Sequence, residues 1–284
     1  MVLGARRRNS TGLSNLFESL SIFLGILCLT EGMSTLRKVA VVTGASSGIG
    51  AATALLLAQN GYRVFAAARR FQRLEELAGR NENIEAHLLD VTDQSSVDAF
   101  VASIAGIEID ILVNNAGGAF DSSSILDSDP ALWMKSFDVN VLGSLRMTKA
   151  IAPLMIQAGK GHIVVLTSTA GHVAYENGGS YVAAKFAERS LANTLRLELN
   201  GTPIRISEIA PGMVKTDEFA IVRNSGDAVK AAKVYEGVEH PLTAEDIAEC
   251  IYWTVNLPSH VNIDSMTIRP VAQAANHKVH RTGK

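Results

Sequence analysis

Cysteine is scarce: the chain of 284 residues has two, Cys28 and Cys250. That is too few for a disulfide framework at this length. No Cys-x-x-Cys occurs, and the seven histidines make no His-x-x-x-His pair, so no metal site is expected. Aromatic residues are only 6%, which leaves an aliphatic core. The net charge of -2 gives no basic excess to hold nucleic-acid phosphates. No apolar run reaches the roughly 20 residues that span a bilayer. Proline is also sparse, 7 against 23 glycines, which suits tight turns inside a compact fold. Hydrophobic residues, by contrast, reach 47%, too many for a disordered chain. The expectation is a cytoplasmic globular protein that acts on a small molecule, with no nucleic-acid partner and no integral membrane span.

The first 32 residues are set apart. Arg6, Arg7 and Arg8 precede an apolar stretch over 20–29. Three readings stay open: an export signal, a short anchor, or codons upstream of a true start at Met33. The stretch is short and no small-x-small cleavage site follows it, so the third reading is favoured. Residues 33–284 then form the working domain.

From Arg37 on, the pattern alternates. Short β-branched or apolar runs predict strands over 38–43, 63–67, 84–89, 109–113, 162–167, 204–209 and 265–269. Between them, helical spacing covers 50–59, 71–80, 95–104 and 180–199. Asp129-Pro130 opens a long helix, and Thr243 with Asp246 forms a capping box for another. Strands apolar on both faces, alternating with helices, predict an α/β fold. The form is one doubly wound, Rossmann-type parallel sheet of about seven strands with helices on both faces.

The first strand runs into Thr43-Gly44-Ala45-Ser46-Ser47-Gly48-Ile49-Gly50. Gly44 allows a tight turn, Gly48 allows close approach of a pyrophosphate, and Gly50 lets the next helix pack on the sheet. The helix start then offers free N–H groups, including those near Ser46, Ser47 and Ile49, to phosphates. At the end of the second strand stand Arg69 and Arg70, where an acid would take the ribose 2′-OH of NAD. Two guanidinium groups suit a 2′-phosphate instead, which favours NADP.

Tyr181 and Lys185 share a helix face at i and i+4. Ser168 ends a parallel strand, where ligands gather in such folds. Asn140 sits on the long helix after the fourth strand. A tyrosine ordinarily titrates near 10, and a neighbouring ammonium favours its anion. Tyr181 is then fitted to pass a proton at neutral pH. Lys185 supplies the charge and holds a ribose, Ser168 binds the substrate oxygen, and Asn140 holds a water that links Lys185 to solvent.

Taken together, the glycine turn, Asp90-Val91, Asn114-Asn115-Ala116-Gly117, Asn140, Ser168, Tyr181-x-x-x-Lys185 and Pro211-Gly212 follow one another in a known order. The chain from about Val39 to the last strand resembles the short-chain dehydrogenases/reductases. The resemblance implies adenine contacts at Asp90 and Val91 and a ribose contact at Asn115. It implies that the stretch from Pro211 and Gly212 through Val214 and Thr216 to Phe219 wraps the nicotinamide. It also implies a catalytic set of Asn140, Ser168, Tyr181 and Lys185. Ser47 stands where some NADP-using members carry a basic residue, so Arg69 and Arg70 are left to select the phosphate.

The C-terminal third, including Thr216-Asp217-Glu218-Phe219 and 257–263, is similar to NADP-dependent 3-hydroxy acid dehydrogenases. His172 and Glu176 depart from the residues usual in that group. Such an acid needs a cation, and Arg223 is the candidate, on a mobile segment between Phe219 and Gly237. Alternatives are a general carbonyl or 3-oxoacyl reductase and a non-catalytic NADP-binding regulator. The family implies a homotetramer, and the polar end, Ala272 to Lys284, is expected to reach a neighbouring subunit.

Overall fold

In a strand, successive side chains point to opposite faces, and here both faces are covered. In the computed structural model, which describes residues 37–283, β1 (Val39–Thr43) sends Val39 and Val41 to one side and Ala40 and Val42 to the other. All these residues are buried. The extension over 1–32 lies outside the described residues.

The sheet holds seven strands in the order β3-β2-β1-β4-β5-β6-β7. Beside β1 they are β2 (Arg63–Ala68), β3 (Ile84–Leu88), β4 (Ile111–Asn114), β5 (Gly161–Leu166), β6 (Ile204–Pro211) and β7 (Ser265–Ile268). Every pairing in it is parallel. The doubly wound sheet expected from the alternating pattern is therefore the one found.

One face is covered by α1 (Gly48–Gln59), α2 (Phe71–Ala78) and α9 (Ala244–Val255), through Leu57, Leu74, Ile247 and Ile251. The other is covered by α3 (Gln94–Ser103), α5 (Gly143–Ala158) and α6 (Gly179–Glu198), through Phe100, Met147, Ile151 and Ala192. The chain leaving β1 turns to the first face, and the chain leaving β4 turns to the second. Their divergence opens a crevice at the carboxyl ends of the strands. Helix starts follow the sequence: Asp129 accepts from Ala131 N at 2.8 Å, and Thr243 and Asp246 close the expected capping box.

Some details lie beyond the sequence pattern. The long helix expected after Asp129 runs from α4 (Pro130–Phe137) through a π-helical segment, Asp138–Leu142, into α5. The segment between Phe219 and Gly237 contains two short helices, α7 (Phe219–Arg223) and α8 (Ala228–Tyr235). The polar end forms a hairpin of β8 (Gln273–Ala275) and β9 (Lys278–Val279). Smaller shifts are a β4 that starts at Ile111 rather than at residue 109, and an α1 that starts at Gly48.

Candidate active site

Thr43 anchors the floor of the crevice. Its Oγ1 donates to Val113 O at 3.2 Å and accepts from Asn115 N and Ala116 N at 3.0 and 2.9 Å. The ends of β1 and β4 are thereby tied together. Asn115 Nδ2 donates to Thr43 O at 2.8 Å and reaches Gly44 O at 3.3 Å. A Cβ on Gly50 would overlap that amide and the Gly44 carbonyl. The third glycine is thus needed for the turn to close on Asn115. Gly44 and Gly48 have φ of +66° and +53°, the left-handed region that glycine takes without strain. Ser47, the residue before α1, makes no side-chain cap, so the first N–H groups of the helix face the crevice.

The arginine reading meets a partner that the sequence did not suggest. Arg70 Nη1 donates to Glu218 Oε1 and Oε2 at 2.7 and 2.8 Å. Its Nε and Nη2 reach Ser46 Oγ at 3.1 and 3.0 Å, and Nη2 reaches Ser47 Oγ at 2.8 Å. Arg73 also pairs with Glu218, and Ser47 Oγ donates to Glu218 Oε2 at 3.1 Å. Arg70 foremost, with Arg73 and Ser47, holds the Glu218 carboxyl down at about 2, against the opposing effect of its partial burial. Arg69 lines the crevice beside them. Asp90 Oδ1 accepts from Thr92 N and Thr92 Oγ1 at 3.0 and 2.7 Å, and Val91 packs beneath it on Gly143.

Tyr181 and Lys185 lie one turn apart on α6, buried at 7% and 4% exposure. Lys185 Nζ is 5.7 Å from the Tyr181 ring centre. Two of its three hydrogens are taken, by Leu166 O at 2.8 Å and Glu188 Oε2 at 2.6 Å. Glu188 is buried with it and accepts from Ser144 Oγ at 2.8 Å. Burial opposes both charges, raising Glu188 and drawing Lys185 down. At Lys185 the attraction of Glu188, with Tyr181, outweighs burial, and its value rises. Ser168 Oγ accepts from Ala170 N at 3.1 Å and lies 3.3 Å from Pro211 O, to which it donates. Behind this loop, Glu208 takes Thr167 Oγ1 at 2.7 Å and His172 Nε2 at 2.9 Å.

Asn140 sits in the π segment, fully buried. Its Nδ2 donates to Gly118 O at 2.9 Å and to Ser136 O at 2.7 Å, and its Oδ1 accepts from Gly118 N at 3.1 Å. The side chain therefore braces the 117–118 backbone beside Lys185.

One crevice of about 780 Å³ gathers nearly all the expected residues. Gly44, Ser46, Ser47, Gly48, Ile49, Arg69, Arg70, Asp90, Val91 and Asn115 line one end. Ser168, Tyr181, Lys185, Pro211, Gly212, Val214, Thr216 and Arg223 line the other. Gly50 and Asn140 stand behind its wall. Arg223 is the outermost: its Nη2 donates to Asn177 O at 3.1 Å and its guanidinium lies 5.3 Å from the centre of the Tyr175 ring. Sequence reading missed Arg73, Glu188 and Glu208 as well as the hairpin residues Gln273, Asn276 and His277. Helical spacing signals Glu188, three residues after Lys185, and Arg73, three after Arg70. Nothing local signals the hairpin.

The family profile for short chain dehydrogenases matches residues 38–225. An uncharacterized oxidoreductase of Mycobacterium tuberculosis is 47% identical over 243 residues, 86% of this chain and 95% of the relative. An NADP-dependent 3-hydroxy acid dehydrogenase of Escherichia coli is 38% identical over 247 residues, 86% of this chain and 99% of the relative. Among solved structures, a closed form of serine dehydrogenase complexed with NADP+ is similar at a TM-score of 0.81 and 38% identity, covering 86% of this chain and 99% of that one. The chain is thus alike to these proteins over most of its length and of theirs, and it belongs to the short-chain dehydrogenase family.

Proposed function

We propose that this chain is an NADP-dependent dehydrogenase of small 3-hydroxy acids such as serine or L-allo-threonine. The observation that carries the reading is one crevice with an arginine clasp at one end and Ser168, Tyr181 and Lys185 at the other. The residues fit a phosphorylated dinucleotide. Arg70, Arg73, Ser46 and Ser47 already surround an anion, and the α1 start adds free N–H groups. When bound, NADP supplies the hydride acceptor or donor. Arg69, Arg70 and Arg73 hold its 2′-phosphate, Gly44 to Gly50 its pyrophosphate, and Asp90, Val91 and Asn115 its adenosine. The stretch from Pro211 to Thr216 holds its nicotinamide end.

The chain's own groups then divide the work. Ser168 donates to the substrate oxygen and fixes its position. Tyr181 takes the hydroxyl proton during oxidation and returns it during reduction. The Lys185 ammonium stands beside the Tyr181 ring, and Glu188 keeps that ammonium in place. Asn140 holds the 117–118 backbone against Lys185.

Similarity to the two relatives named for 3-hydroxy acids and serine supports the substrate class, and Arg223 at the outer rim supports a carboxylate. The apolar wall of Phe219, Val222, Val234 and Tyr235 favours a second reading, a general carbonyl or 3-oxoacyl reductase. NADPH formation across serine, the threonine isomers, 3-hydroxypropionate and 3-hydroxybutyrate tests the first. Turnover of neutral ketones or acyl thioesters, with none of the free acids, would decide for the second. Arg223→Ala should raise KM for acids more than for neutral alcohols, and an equal effect removes Arg223 as the carboxylate ligand. We further propose a homotetramer, to be checked by light scattering.

A further inference from the structure

Glu218 has an unusual position. It precedes α7, far along the chain from the glycine turn, yet its carboxylate lies among Arg70, Arg73 and Ser47. A carboxylate with two lone-pair-rich oxygens inside a fork of guanidinium and hydroxyl donors reproduces the recognition of a phosphate group. The next residue, Phe219, packs edge-on against Tyr181 with ring centres 5.5 Å apart. Thr216, two residues before, lies over Gly48. One short segment therefore joins the arginine clasp, the glycine turn and the reacting tyrosine.

We propose that Glu218 is an internal counter-anion of the clasp, which the cofactor's 2′-phosphate must displace, so that Glu218 sets how strongly this chain prefers phosphorylated dinucleotides. The inference rests on the reading of Arg70 as a phosphate ligand. The same donors cannot saturate both anions, and two anions side by side repel. Binding is then an exchange: the phosphate enters, the carboxylate leaves, and the 216–219 segment loses its tie to α2. The 2′-phosphate pays for part of its own affinity by this displacement. A dinucleotide without the phosphate leaves the tie intact.

The test uses the full chain and two probes, 2′,5′-ADP and 5′-AMP, which differ by the 2′-phosphate. Glu218→Gln should tighten 2′,5′-ADP about tenfold and leave 5′-AMP unchanged. In the unaltered chain, saturating 2′,5′-ADP should speed amide hydrogen exchange over 216–223, and 5′-AMP should not. Unchanged or weakened 2′,5′-ADP binding by Glu218→Gln, or exchange that does not respond, overturns the displacement. Arg70→Ala separates the underlying reading: if it fails to weaken 2′,5′-ADP, the clasp itself is misassigned. If it does weaken 2′,5′-ADP while Glu218→Gln changes nothing, only the counter-anion role falls.

Discussion

In the proposed reaction, proton transfer depends on Tyr181. Removing its oxygen in Tyr181→Phe leaves the ring packed on Phe219 but takes away the proton carrier. Turnover should fall by about 10²- to 10⁴-fold while NADPH still binds. Retained turnover, measured alongside a fluorescence titration of NADPH, would refute the mechanism. Lys185 and Glu188 have to be considered together, because each is a buried charge with the other as its partner. Glu188→Leu strands the ammonium, and denaturant melts should show a loss of about 3–5 kcal/mol. A double variant, Lys185→Met with Glu188→Leu, removes both charges. It should recover most of the stability and none of the activity. If the double variant is as unstable as the single one, the pair is not the cause. These residues also show what the sequence discloses at this scale. Tyr-x-x-x-Lys is legible from helical spacing. The ion pair is not, because a glutamate three residues after a lysine is ordinary on a solvated helix until burial is known.

Among the elements, β5 and β6 carry a titration that the reaction does not need. His162 on β5 is 1% exposed, with Nε2 2.8 Å from Ser207 Oγ on β6 and no partner for Nδ1. Burial, helped by the charge of Arg205, lowers this ring from 6.5 to about 3. The unfolded chain takes up that proton near 6.5 while the folded chain refuses it until about 3. The contribution to stability is therefore complete above about pH 6.5 and is lost as pH falls towards 3, by at most about 1.4 kcal/mol per unit. His162→Gln should flatten the stability profile between about pH 6.5 and 4.5 by close to one proton. An unchanged slope in denaturant melts would show that other groups set the acid limb. Strands of this sheet were readable because both faces are buried, which leaves short apolar runs such as Ile-Leu-Val in β4. The π segment was hidden, since Phe-Asp-Val-Asn-Val-Leu-Gly keeps a helical rhythm whatever the hydrogen-bond ladder does. It takes the wider turn where Asn140 bonds back to Ser136 O and across to Gly118.

In the molecule as a whole, the sheet provides the frame and the C-terminal hairpin finishes the site. The order of strands and the crevice at the β1–β4 divergence follow from local rules, so the fold was legible in the sequence. The hairpin was not, because its partners are distant and its residues are polar. Gln273 Oε1 accepts from Met213 N at 2.7 Å, and Asn276 Nδ2 donates to Thr169 O and Val173 O at 3.2 and 2.9 Å. Arg281 donates to Val234 O at 3.0 Å and to Glu236 O. These bonds tie the chain end to three parts of the crevice wall: the loop after Ser168, the stretch after β6, and α8. None of them adds a strand to the seven-stranded sheet, so a chain ending at Val271 should fold. With the wall after Ser168 unbraced, reacting groups shift by fractions of an ångström or more, and misplacement of that size costs about 10²-fold in rate. The shortened chain should therefore unfold cooperatively near the normal denaturant midpoint and bind NADPH with little change, yet show kcat/KM lowered about 10²-fold. Full activity without the hairpin would mean that the wall is rigid by itself. Loss of the cooperative transition would mean that the hairpin belongs to the core of the fold and does not merely finish the site.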